Sequence, residues 1–273
     1  MSASEALSAY NRVANLAFTP KVYVAQFPTW PKYSGEKLEE AIQNELRLAQ
    51  TADGDKEALF ADSQAPKTVV LAITKINVNA GPTLFRTYDV EPAWEGCKIW
   101  EVARATSAAT TFFNPIKTGR DGIAFVDAGF GYNNPCEVLL AEADKAIPGR
   151  PTSCIVSIGT GLKRAIGVSA KPSTLLGALV RMATSSRTVH ARLQQTFGDE
   201  QPQKYWRFDE DIGISEIKMD DWRKLRSVAG HTHNYLHAPD TAKAIHHCAD
   251  ALVAAKPNLR PGTLVIWPQK IQS

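Results

Sequence analysis

Three short apolar runs limit what this chain can become: TVVLAITK at 68–75, IAFVDAG at 123–129 and CIVSIGTG at 154–161. The first, nearly all apolar and rich in branched residues, reads as a strand buried on both faces; the second reads as another buried strand, and the third as a strand running into a glycine turn. A fourth strand, LFRTYD at 84–89, follows a Gly81-Pro82 turn. The segments between them have helical character. Leu7, Tyr10, Ala14, Ala17 and Phe18 recur at helical spacing before Pro20; Leu38, Ile42, Leu46 and Ala49 line one face of a helix that Ser34 caps and TADGD at 51–55 ends; CKIWEVARATSAA at 97–109 reads as a third helix. Strands alternating with helices predict an α/β fold in three layers with a largely parallel sheet. The tail from about 172 reads as mostly helical, with one strand near YWRF at 205–208, and residues 162–173 as its loosest approach.

The 273 residues suit one large domain or two small ones, and a 44% hydrophobic fraction supplies a sizeable core. Thirty-one basic against 28 acidic residues, a net charge of +3, argue against nucleic acid as a partner. Cys97, Cys136, Cys154 and Cys248 are widely spaced, which predicts buried thiols in a reducing compartment, with no disulfide framework or zinc site. Met1 is followed by Ser-Ala-Ser-Glu, with no basic stretch or long apolar run, and the expectation is a cytoplasmic protein with peripheral membrane contact as an option. No cofactor or metal is expected. His231, His233 and His237 lack an acidic or cysteine partner at useful spacing, and Gly159-Thr160-Gly161 lacks the further residues of a phosphate loop. The aromatic, proline-broken segment 22–33 reads as a packed loop, with a lipid-facing lid as the alternative.

The stretch FVDAGFGYNNP at 125–135 carries the chemistry. A buried strand delivers Asp127 to its carboxyl end, where α/β sheets build their sites. A glycine turn follows, and Asn134 with Pro135 opens a helix as cap and first residue. An aspartate so placed is a candidate base; a turn-former or cap is the other reading.

This segment resembles the aspartate motif of the patatin-like phospholipase family, and is most similar to its fungal members. IWEVARATSAATTFF at 99–113 and CIVSIGTG at 154–161 resemble the flanking elements in order and spacing. The match is most specific over 97–161 and weaker over 1–96 and 162–250, as one domain over 1–273. The resemblance implies a Ser–Asp dyad that hydrolyses phospholipid or other acyl esters. The serine attacks the carbonyl, and Asp127 is the proton acceptor that later returns a proton. Asp127, Ala128 and Gly129 match the motif, with Asn133, Asn134 and Pro135 as its supporting turn.

Two departures stand out. No Gly-x-Ser-x-Gly nucleophile elbow occurs, nor a glycine-rich oxyanion loop ahead of it. The Gly167–Lys171 string lacks the second glycine, and Ser107 falls in a predicted helix interior. The expectation is therefore a domain incomplete on its N-terminal side, missing its first strands and not competent as it stands. The alternatives are a non-catalytic lipid-binding or interaction protein on the same fold, or a fragment. The second departure is Ala128, where the family has glycine directly after the aspartate. A left-handed backbone there would cost alanine about 1 kcal/mol.

Overall fold

The computed structural model describes residues 2–19, 31–49, 56–77, 81–110, 112–161, 175–199, 202–210, 217, 220–255 and 265–266. Thr51–Asp55, the segment 162–173 and most of 22–33 lie outside these. The chain divides into two compact units at the Ala128–Gly129 bond.

The first unit opens with α1 (Ala3–Ala17) and α2 (Gly35–Leu48). Ser2 and Glu5 form a reciprocal capping box on α1, and the Ser34 hydroxyl accepts the Lys37 amide at the start of α2, satisfying N–H groups the helix leaves unpaired. The two helices pack together, and Arg12 reaches across to hold Glu45 through two bonds of 2.7 Å. Then come β1 (Thr68–Thr74), β2 (Thr83–Arg86), α3 (Ile99–Thr106), β3 (Ile116–Thr118) and β4 (Ile123–Asp127). The sheet order is β2-β1-β4-β3.

Helices and strands alternate as expected of an α/β chain, but the expectation of a largely parallel sheet is corrected. β1–β2, β1–β4 and β3–β4 are all antiparallel. For β3–β4 the reason is connection length: Thr118 pairs Ile123 across a four-residue turn, with Gly119 at φ +75 and Gly122 at φ +60, and such turns can only reverse the chain. β3 itself escaped the sequence reading, because three residues are too few to show a period. β1 is buried from Val69 to Ile73, as its composition predicts, but double-sided burial reflects its central place in the order and does not report strand direction. The core joins Val70, Ala72, Phe85, Val102, Ala105 and Phe125, with Trp94 edge-on to both phenylalanines. A second aromatic cluster sets Phe18 against Tyr33, Phe112 and Phe113.

The second unit contains α4 (Gly129–Tyr132), α5 (Cys136–Ala146), β5 (Ile155–Ile158), α6 (Leu175–Leu193), β6 (Tyr205–Phe208), α7 (Leu225–His237) and α8 (Pro239–Ala254). β5 and β6 are parallel, and α6 lies between them in sequence, as a crossover requires. Cys136, Ile155, Val189, Leu193 and Tyr205 form the core. No helix among the described residues is long and apolar enough to cross a membrane.

Candidate functional site

Asp127 is the last residue of β4 and is half-buried. Its amide donates to the Ala108 carbonyl at 3.1 Å, which ties it to the turn after α3. The expectation that Asp127 stands on a shared carboxyl edge needs correction. Because β1 and β4 run in opposite directions, Asp127 pairs with Ala72 in the middle of β1. The neighbouring strand therefore flanks the aspartate along its length.

Ala128 is fully buried. Among the described residues Asp89 is the one non-glycine with positive φ, so Ala128 carries no left-handed strain, and Gly129 is not left-handed either. The conditional penalty raised for alanine at this position does not arise. The glycine turn expected after Asp127 is a single helical turn, α4. Ser107, expected in a helix interior, is instead the C-terminal cap of α3. It still offers no strand-to-helix elbow, because the chain leaves a helix there.

The supporting turn is distributed unevenly. The Asn133 side-chain oxygen is buried without a hydrogen-bond partner. Asn134 is buried; its side-chain oxygen accepts the Cys136 amide at 3.3 Å and the Ser157 hydroxyl at 3.4 Å. Asn134 therefore stands one residue before the cap of α5 and accepts the first helical amide, whereas the sequence predicts Asn134 as the cap and Pro135 as the first residue; Pro135 is the cap.

Around Asn134 the second unit gathers a polar network that sequence reasoning missed. Arg207, with its side chain 5% exposed, donates to the Ser157 hydroxyl at 2.7 Å, to the Ser186 hydroxyl at 2.9 Å and to Asp209 at 2.6 Å. The other Asp209 oxygen accepts the Gly161 amide at 2.8 Å, fixing the Gly159–Gly161 turn, where Gly161 has φ +72. A Cβ on Gly159 would overlap the Asp209 carboxylate. Tyr205, fully buried, lies 3.2 Å from Nδ1 of His190. Burial, and then the nearby Arg207 charge, hold His190 below its ordinary pKa. The one available signal was period two: Arg207 within the aromatic strand β6 and Asp209 just after it stand two residues apart, on one face.

His231, His233 and His237 lie on α7, where the last two stack at 4.0 Å. Among the described residues no group of three or more His, Cys, Asp or Glu is placed to hold a metal ion. A groove of about 410 Å³ in the first unit is lined by residues of α1 and α2, including Arg12, Leu16, Glu45 and Leu48, and not by Asp127.

No protein-family model matches the chain. Comparison with curated proteins points to one class: the similarities support a patatin-like phospholipase at the level of the family. The particular relatives are calcium-independent phospholipases A2-gamma. The chain is 30% identical to that of Oryctolagus cuniculus over 210 residues, covering 71% of this chain and 24% of the relative. It is 29% identical to that of Rattus norvegicus over 241 residues, covering 82% and 29%. With that of Homo sapiens it shares 31% over 170 residues, covering 56% and 21%. The chain thus spans about a quarter of the length of the relatives it matches.

Proposed function

We propose that this chain belongs to a patatin-like lipid acyl hydrolase of the fungal type, and that Asp127 is the proton acceptor of its Ser–Asp dyad. The observation that carries this is the identity to phospholipases over 210 residues, read together with Asp127 half-buried at the end of β4. In the proposed reaction a serine hydroxyl attacks the ester carbonyl of a phospholipid or other acyl ester while Asp127 takes its proton. Asp127 then protonates the leaving group and, in the second half, activates water. The backbone bond from the Asp127 amide to Ala108 restrains the residue that makes these transfers. No Gly-x-Ser-x-Gly string occurs among the 273 residues, so the paired serine is not assigned to any of them and turnover by these residues alone is not expected.

Fluorophosphonate labelling of the protein purified from its natural source, followed by peptide mapping, tests the dyad. The expected result is one labelled serine in a Gly-x-Ser-x-Gly context, with reactivity reduced about 10²–10⁴-fold in Asp127→Asn. Labelling that ignores the substitution overturns the assignment of Asp127.

The missing elbow specifically favours a second reading, a non-catalytic lipid-binding protein on the same fold. It predicts binding to phosphatidylcholine vesicles at the membrane surface, no labelled serine, and no change in binding with Asp127→Asn. Failure to bind vesicles would remove it.

A further inference from the structure

His233 and His237 stand one helical turn apart on the exposed side of α7. That spacing sets two side chains one above the other on the same face. The two imidazole rings are stacked, with centroids 4.0 Å apart and planes 22° from parallel. Nδ1 of His237 lies 2.8 Å from the His233 carbonyl oxygen. A carbonyl only accepts, so Nδ1 carries the hydrogen, and in the neutral ring the lone pair is left on Nε2. The same bond fixes the orientation of the ring, as a backbone carbonyl does for metal-ligating histidines. His237 is also the last residue of α7, where unpaired carbonyls give a helix its partial negative charge. His231 is two residues before His233 and so on the other side of the helix, while His246 and His247 belong to α8.

We propose that His233 and His237 form a two-imidazole binding site for a late first-row divalent cation, taking Cu²⁺ most tightly and Zn²⁺ less so. Two histidines one turn apart chelate without an acidic or cysteine partner, because the helix holds both donors at one spot. No group of three His, Cys, Asp or Glu is placed to hold an ion among the described residues, so water completes the coordination. Metal–nitrogen bonds of about 2.0–2.1 Å bring two donor atoms on one ion to roughly 3–3.4 Å from each other. Rings stacked at 4.0 Å reach that separation by a small tilt, which their exposure permits. Imidazole suits Cu²⁺, Ni²⁺ and Zn²⁺, with Cu²⁺ first in the order of stability, whereas Mg²⁺ and Ca²⁺ take oxygen ligands. Both ligands lie on one helix, so the ion clips the last turn of α7 and favours the folded helix over the unfolded chain.

The test is titration of the purified, reduced protein with Cu²⁺, Zn²⁺ or Mg²⁺ as the sole added ion. Calorimetry gives the affinity, and electron paramagnetic resonance of the Cu²⁺ form identifies the ligands. The expected result is one tightly held Cu²⁺ per chain with hyperfine structure from two imidazole nitrogens, weaker Zn²⁺ binding, no Mg²⁺ binding, and a higher melting temperature with Cu²⁺ than without. His233→Ala and His237→Ala should each weaken Cu²⁺ binding by at least the roughly 10–100-fold that losing an outer-shell partner costs a metal site, and should remove the melting shift. His231→Ala should leave both unchanged. Alanine is well tolerated at exposed helix positions, and melting of each variant without ion checks that it folds. Absence of Cu²⁺ binding, thiolate sulfur in the Cu²⁺ spectrum, or an affinity that survives either His233→Ala or His237→Ala overturns the site.

Discussion

Replacing Arg207 by Met keeps the length of a side chain that is only 5% exposed but removes every hydrogen bond it donates. The loss is unequal among its partners. The Ser157 hydroxyl retains Asn134, and Asp209 retains the Gly161 amide and some solvent at 24% side-chain exposure. Ser186 is 3% exposed and loses the Arg207 donor from its hydroxyl. Breaking a buried ion pair from one side costs about 3–5 kcal/mol, and the residual solvation of Asp209 places this case near the lower end, at roughly 3–4 kcal/mol. That is a large share of a typical total of about 5–15 kcal/mol. Amide hydrogen exchange across β5 and β6 is the assay, because the bonds from Ile155 to Lys204 and from Gly159 to Phe208 report opening of this unit. Exchange there should accelerate on the order of 10²–10³-fold, one decade for each ~1.4 kcal/mol. Arg207→Lys, a compact cation without the guanidinium fork, should fall between. A change below tenfold in Arg207→Met would refute the view that this network holds the Asn134 turn.

Three further outcomes follow from the packing and titration of named residues. Gly119→Ala should destabilise by well over 1 kcal/mol, because its Cβ would stand 2.7 Å from the Trp94 ring at φ +75; Gly149→Ala, at φ +74 with open space around it, should cost only about 1 kcal/mol, and urea midpoints separate the two. Phe85→Ala should cost about 3–5 kcal/mol by the same measurement, since Phe85 is 1% exposed and packs edge-on against Phe125 at 5.2 Å and Trp94 at 5.4 Å. His190 has a depressed folded-state pKa, so its contribution to stability is present above its unfolded value near 6.5 and is lost as pH falls through the lower folded value. Thermal melts should show this decline on acidification in wild type and a shallower one in His190→Gln.

The parts of the fold legible in the sequence were those in which a short window holds the whole signal. The branched run at 68–75 could only be a buried strand, and Ser34 with its apolar face could only begin a helix. The position of Asp127 at the end of β4 followed from the apolar residues before it. Alternation of strands and helices along the chain does not fix strand direction: β1–β2, β1–β4 and β3–β4 all pair antiparallel, and the turn at Gly119–Gly122 makes β3 and β4 a hairpin. Ser107 was misplaced by a single turn, since small residues propagate helical character past the true cap.

The sequence by itself determined the elements, their caps and the placing of one aspartate after a buried strand, because backbone periodicity and capping act over a few neighbouring residues. Tertiary structure alone decided that β1 receives β4 antiparallel and that Arg207 reaches the Asn134 turn through Ser157. Those contacts join residues dozens of positions apart. Their free energy depends on desolvation and geometry set by the packed chain, which no local window encodes.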